Sequence, residues 1–492
     1  MYEVALLLSV ACLLGVGFFF ARNPAFSVFH PLTIYIAFHG LIFVFRPILA
    51  YFLNYRYIYS AFRFTPSASD KLTVIFASNL GFLVFAFFCM RAGAVALRFK
   101  QDVFVTAERR QLKRLFPWVL AICVPIGGYS LFSLWFIASG VSSDGMISDS
   151  STGIAINTTG IGYMREAQLM LATSGAILAW IFRFRLVACL PLLLFAVTRA
   201  GTGGRWPVVV AIVAAGLLYL YDKKRKLPGP MLVFGSVALL AAFSAVGTDR
   251  GRAIREMTSS NQTRERQYSN GGTEKFMEGM DYGNLEYFEY LVYVVPQRSH
   301  TYDFFLNNIQ LFTEPIPRVL WKDKPIGAPV TRFSLFEYGD PVGMTRSLPG
   351  EGWFAFGWFG VVIWCGLWGQ TLGWIYRKFA QSSQETLQTA AYMIFLASLI
   401  AAFRDGVLIT VFRYNLFFLA PVALWFIIAR MRGIATAQML RNTAYRHWRK
   451  RNPVRMGPDA TPAADLVDCA TRRSERSARR GAAGSRQPRF RP

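Results

Sequence analysis

Leu311–Lys324, LFTEPIPRVLWKDK with Pro325 directly after it, lies inside a polar segment of about 100 residues, Thr248–Gly352, and both flanks of that segment are strongly apolar. Connections between helices are mostly short, and a long one is either functional or unstructured. Aromatic residues such as Trp321 alternate here with well-spaced charges, so the sequence predicts a loop that folds against its apolar neighbours. An ordered polar region fed by apolar helices suits chemistry on a substrate that is half lipid and half polar.

The flanks decide the class. A 492-residue chain that is 54% hydrophobic, with mean hydropathy +0.33, is not an ordinary soluble protein. Helices crossing a hydrocarbon core of about 30 Å need about 20 apolar residues. Such runs occur at Val4–Phe20, Pro31–Leu53, Leu72–Met90, Phe116–Ser139, Gly162–Phe182, Leu186–Val197, Trp206–Tyr221, Met231–Val246, Trp353–Tyr376, Leu387–Phe403 and Val407–Ile428. Backbone polar groups in lipid must pair within the segment, and the alternating pattern of a barrel is absent. The expected fold is therefore all-α, a polytopic integral membrane protein of about 11 transmembrane helices. Its expected parts are N-terminal helices over 1–247, a large loop over 248–352, C-terminal helices over 353–429 and a basic tail over 430–492. Met1–Phe20 lacks a basic start and reads as a retained helix.

The net charge of +25 is first a topology signal. Arg91–Leu115 holds seven basic residues against two acidic ones, Lys223–Lys226 is a run of four cations, and the tail from Met431 holds 15 basic and 4 acidic residues. The positive-inside rule assigns all three to the cytoplasm. One alternation of the spans satisfies them, with the N-terminus outside, the C-terminus inside and the large loop outside, as in a bacterial inner membrane. The Arg-, Ala- and Ser-rich tail reads as a disordered, membrane-apposed arm rather than a nucleic-acid binder. The six cysteines and four histidines are scattered, with no CxxC. The reading therefore assigns no metal, cofactor or disulfide framework.

On the outward side, Thr198–Arg205 reads TRAGTGGR and Trp206-Pro207 opens a helix. Glycines let backbone N–H groups approach a ligand, and a helix N-terminus attracts anions. Arg199 and Arg205 add planar donors suited to phosphate. The bland alternative is a tight turn whose arginines anchor lipid headgroups. Arg46 and Arg413 fall within spans and Arg404 at a hairpin tip, where charge marks function by default, although Arg46 could snorkel or Arg413 could pair with a carboxylate. In the loop, Arg298, His300, Asp303, Arg318, Lys322, Lys324, Arg346 and Glu351 stand among aromatics that suit sugar stacking or an ordinary interfacial belt.

Pro315-Ile316-Pro317-Arg318, Trp321, Lys324-Pro325, Pro349-Gly350-Glu351-Gly352 and Phe356-Gly357-Trp358-Phe359-Gly360 together resemble the oligosaccharide repeat-unit polymerases, the Wzy-type O-antigen or exopolysaccharide polymerases. The turn Arg199–Arg205 and the basic run after it also resemble that family. So does the spacing arginine–ten residues–glycine, met by Arg205 and Gly216 and by Arg346 and Gly357. The resemblance implies a GT-C-like membrane glycosyltransferase, independent of metal, that moves a glycan from undecaprenyl diphosphate to a second lipid-linked repeat. It implies catalytic roles for Arg199 and Arg205 at the leaving diphosphate and for Glu351 as base, with His300 and Asp405 as alternative bases. Substrate contacts would come from Arg318, Arg404, Arg298, His300, Arg346, Lys324 and Trp321. Implied partners are undecaprenyl-diphosphate-linked oligosaccharides, membrane lipids and a chain-length regulator, with no nucleic acid.

Two other functions compete. O-antigen ligases share the donor and use an outward histidine, for which His300 is the candidate. A transporter would show two matched halves and interrupted helices, and no halves of equal length are visible here.

Overall fold

The computed structural model describes residues 1–138, 146–148, 155–157, 162–200, 206–230, 235, 275, 277–279, 282–313, 315, 316, 320, 321, 329–339 and 345–451. Seven helices among them are long and apolar enough to cross a membrane. They are α1 (Tyr2–Ala21), the continuous rod Pro31–Leu53, α5 (Ala68–Ala92), α6 (Val103–Ala138), α12 (Leu348–Gln381), α13 (Thr386–Asp405) and α14 (Leu408–Met431). The rod consists of α2 (Pro31–His39), a π-turn at Gly40–Phe45 and α3 (Arg46–Leu53). The chain is thus a polytopic membrane protein, with seven such helices among the described residues where about eleven spans were expected.

Length explains the shortfall. The apolar helices α7 (Leu169–Ile181), α8 (Leu186–Ala200) and α9 (Trp206–Asp222) have 13, 15 and 17 residues, so at a rise of about 1.5 Å per residue they reach only about 20–26 Å. The expected span Gly162–Phe182 begins instead as a 3-10 turn over Gly162–Gln168. Met231–Val246 lies outside the described residues apart from Gly235. The other elements are α4 (Tyr57–Phe62), α10 (Asn284–Val294), α11 (Gln310–Thr313), α15 (Ala437–Arg451) and an antiparallel ribbon of β1 (Met146–Ser148) and β2 (Ala155–Asn157).

The three basic segments meet on one face. Val28 N donates to Lys226 O at 2.9 Å, Gln101 Nε2 to Tyr221 O at 2.9 Å, and Lys100 Nζ to Ser382 O at 2.7 Å. Arg109 forks onto Asp222, and Arg441 of α15 pairs with Asp102 at 2.7 Å. The start of the tail is therefore a helix docked on α6, where disorder was expected. Its Arg441 finds a carboxylate, Asp102, on the first basic segment, which no local pattern announces.

The opposite face carries the described part of the polar segment. Arg46, fully buried, donates to Glu286 Oε1 at 2.7 and 3.2 Å and to Met277 O at 2.6 Å. Glu278 accepts from the backbone N–H of Arg56 and Tyr57, and Tyr59 Oη donates to Glu289 at 2.5 Å. Arg46 is thus a fully buried clamp that holds the segment onto the bundle rather than a snorkelling cation.

Inside α12 the helix breaks. Phe356 (φ −161°, ψ 36°) and Gly357 (φ 58°, ψ −138°) leave helical geometry. The two limbs fold back so closely that a Cβ on Gly352 would lie 2.8 Å from Gly360 O. The run read as a single span at Trp353–Tyr376 is therefore a short limb, Leu348–Ala355, hairpinned onto a long one. Tyr302 stacks over the break, where its Oη lies 2.8 Å from any Cβ built on Gly357. The adjoining chain is pinned by Asp303 N to Phe354 O and Phe304 N to Ala355 O.

Candidate active site

The short limb carries charge down into the bundle. Ser347 caps it, its Oγ accepting from Gly350 N at 3.3 Å, and Glu351 falls in its first turn. On the descending limb, Trp364 Nε1 donates to Gly406 O at 3.0 Å, and Ser347 N donates to Arg404 O at 2.8 Å. Ser347 thus lies level with Trp364, roughly 10 Å below the hairpin tip at about 1.5 Å per residue. Pro349 and Cys365 both pack on Gly81, near the midpoint of α5.

At that depth Arg346 Nη1 donates to Glu351 Oε2 at 2.9 Å. The Glu351 side chain is 0% exposed and that of Arg346 19%. Asn308 Nδ2 donates to the other Glu351 oxygen at 3.3 Å. The carboxamide oxygen of Asn307, in the orientation its neighbours require, accepts from Arg346 Nη1 and Nη2 at 2.7 and 3.0 Å. The guanidinium also lies 4.0 Å over the Phe354 ring. Burial opposes its charge, but the Glu351 carboxylate overrides that effect and pushes the Arg346 pKa up. Asp303, beneath the same loop, has its carboxyl raised by burial, against the lowering hydrogen bond from Asn307 N and the charge of Arg346.

Arg404 closes the group. The turn after it uses Gly406 in the left-handed region (φ 73°), where a Cβ would lie 2.1 Å from Ser347 O. Only glycine lets the α13–α14 hairpin press against the start of α12. Asn284 Nδ2 donates to Arg404 O at 2.8 Å and to Thr345 O at 2.8 Å, tying α10 to the same spot. Arg404 Nε is buried with no hydrogen-bond partner among the described residues. Asp405, 8% exposed, lies in the field of Arg404 and Arg413, and Arg413 pairs with Glu166 at 3.7 Å.

The structure therefore sets the neighbouring pair Arg346 and Glu351 against the backbone of Arg404, which comes from far along the chain. Arg298 stands apart, donating to Tyr293 O and lying 3.3 Å over the Tyr293 ring, where it closes the end of α10. His300 is exposed on the following turn with φ 51°. Arg199 is 8% exposed at the end of α8, and Trp321 is half-buried. Arg205, Arg318 and Lys324 lie outside the described residues. Of the two arginine–glycine spacings, Arg346–Gly357 joins the buried pair to the helix break, whereas Gly216 has open space around its Cβ position.

Asn307, Asn308, Asn284 and Ser347 were not visible as site residues, because uncharged amides and a lone serine in a loop carry no pattern. The one local signal was Ser347 before Leu348-Pro349, a helix-start signature.

Chemically, the group offers a fixed guanidinium, a second one with a spare donor and a carboxylate held away from bulk water. Such donors are worth more in a water-poor site than in solution. The chain matches no protein-family model, no curated protein and no solved structure.

Proposed function

We propose that the chain is a membrane glycosyltransferase that joins lipid-linked oligosaccharide repeat units, transferring a growing glycan from a lipid diphosphate to the terminal sugar of another repeat. In this reading the face with the polar segment is periplasmic, the basic face is cytoplasmic, the membrane is a bacterial inner membrane, and the bundle is GT-C-like. The observation that carries the reading is the Arg346–Glu351 pair, with the backbone of Arg404 against the start of the same limb, sunk to the level of mid-α5. Charge at such depth marks function by default, and a leaving diphosphate needs cations placed in advance.

The geometry alters the role of Glu351. Both Glu351 oxygens are already engaged, one by Arg346 at 2.9 Å and one by Asn308, so in this reading Glu351 orients Arg346. Arg346 and Arg404 stabilise the developing diphosphate, and Asp405 next to Arg404 becomes the acceptor for the incoming hydroxyl proton. Arg199 remains a further diphosphate contact.

The test is reconstitution with lipid-linked repeat units and sizing of the products. Arg404→Ala and Arg346→Ala should each lower polymer formation at least tenfold and leave single lipid-linked repeats, with normal insertion. Glu351→Gln keeps hydrogen bonds to Arg346 and should retain far more activity than Asp405→Asn. Unchanged polymer length in both arginine variants would remove the site.

A second reading, transport of a lipid-linked glycan, draws on the broken helix at Phe356–Gly357, because interrupted helices line transporter sites. Translocation of labelled lipid-linked repeats into vesicles without any lengthening would favour it.

A further inference from the structure

On the basic face, opposite the paired charges, a cavity of about 310 Å³ opens between the ends of α6, α7, α9 and α13. Its floor is neutralised. Arg109 forks onto both Asp222 oxygens at 3.0–3.2 Å, and Trp180 Nε1 donates to Asp222 Oδ1 at 2.9 Å. Arg109 also lies 4.3 Å over the Trp180 ring, so neither charge of that pair is left to seek a ligand. The rim is different. Arg183 and Lys223 line the mouth, and among the described residues neither is held by a carboxylate. Aromatic walls come from Trp180, Phe184 and Tyr219.

The turn that presents Arg183 is unusual. Arg183 and Phe184 are both left-handed, at φ 56° and 55°, a region that bulky residues seldom adopt. Two backbone bonds hold them there, Arg183 N to Trp180 O at 3.0 Å and Phe184 N to Ala179 O at 2.7 Å.

We infer that this cavity binds a phosphate-bearing anion, and that its source is the headgroup of an anionic phospholipid of the surrounding membrane. The floor cancels, leaving two cations over an aromatic-walled hollow, which suits a phosphate with a small polar substituent. At about 310 Å³ the cavity is at the lower end of the range for small-molecule sites, roughly 300–1,000 Å³. A headgroup fits, whereas a nucleoside diphosphate would be cramped. Lipid is favoured over free phosphate by what lies next to the mouth. Leu186 and Val187, just beyond Phe184, are 90% and 84% exposed, and α8 continues with exposed leucines that would accompany an acyl chain. Basic pockets between helices are known lodging places for anionic lipid. The inference is independent of the glycan-transfer reading.

The protein is reconstituted in nanodiscs of phosphatidylcholine with one-fifth phosphatidylglycerol, then extracted into mild detergent, and retained lipid is measured by mass spectrometry. Wild type should keep phosphatidylglycerol in preference to phosphatidylcholine. The double variant Arg183→Gln, Lys223→Gln should lose that preference at least fivefold. Arg114→Gln, an exposed cation of the same face outside the cavity, should leave it unchanged. A second arm adds inorganic phosphate or glycerol phosphate to delipidated protein and follows Tm. A rise lost in the double variant, without lipid preference, would keep the phosphate site and assign it a soluble source. Equal loss in the Arg114 variant would overturn the site as mere surface attraction. No lipid preference and no Tm response would overturn it altogether.

Discussion

Arg346 gives the most informative single-residue experiment. Its Nη1 serves both Glu351 and Asn307, a planar fork that an ammonium cannot reproduce. Arg346→Lys should therefore preserve charge and folding yet lose most polymer formation in the reconstituted assay, and activity within twofold of wild type would contradict the assigned role. Glu289 offers a test by pH. Burial pushes its carboxyl up to about 7 from 4.5, against the lowering charge of Lys71 and the Tyr59 hydrogen bond. The folded state thus binds the proton more tightly than the unfolded chain. The resulting stability is full below about pH 4.5 and is lost as pH rises through about 7. Melting between pH 5 and 8 should fall more steeply in wild type than in Glu289→Gln, and parallel curves would show that Glu289 does not titrate in this window. At this scale the charged members of the site were legible, because Arg346, Glu351 and Arg404 stand out against apolar surroundings. Their amide partners were not, since Asn307 and Asn308 become site residues only where the loop meets α12.

Among elements, α12 was read least well. Trp353–Tyr376 is apolar on both sides of Phe356–Gly357, so the break there leaves no trace in hydropathy. It is written only in one glycine with φ 58° and in Tyr302, which arrives from far along the chain. Gly357→Ala meets both an unfavourable φ and the Tyr302 ring, and Gly406→Ala meets Ser347 O at 2.1 Å. Either should cost on the order of 1–3 kcal/mol or more, read as a fall in Tm in detergent, and an unchanged Tm would mean that the hairpin relaxes freely. The clamp of the rod Pro31–Leu53 onto α10 behaves differently. Arg46→Met alone strands Glu286 in a dry site and should cost about 3–5 kcal/mol, whereas Arg46→Met with Glu286→Leu should recover much of that loss. Denaturant titration of the three proteins checks it. The membrane-depth arginine was evident in sequence, but its partner, 240 residues later, was not.

For the molecule as a whole, charge patterning was the most dependable guide. Three basic segments, far apart in the chain, come to one face through Lys226, Lys100, Arg109 and Arg441. The number of crossings was less legible, because hydropathy counts apolar residues and cannot tell a 13-residue helix such as α7 from a full span. Single cysteines at Lys224 and Ser383 should react with an impermeant thiol reagent from one side of sealed vesicles, and one at Arg298 from the other. Labelling of all three from the same side would refute the arrangement. The backbones of Gly352 and Gly360 touch across the hairpin. With no side chains between the limbs, nothing there can yield, so the hairpin works as a ruler whose only graduations are residues. One alanine inserted between Glu351 and Phe356 would swing Glu351 about 100° around the short limb and move its carboxylate out of register with the opposing chain. The same insertion near Gln381, beyond the ruler, would leave the reading unchanged.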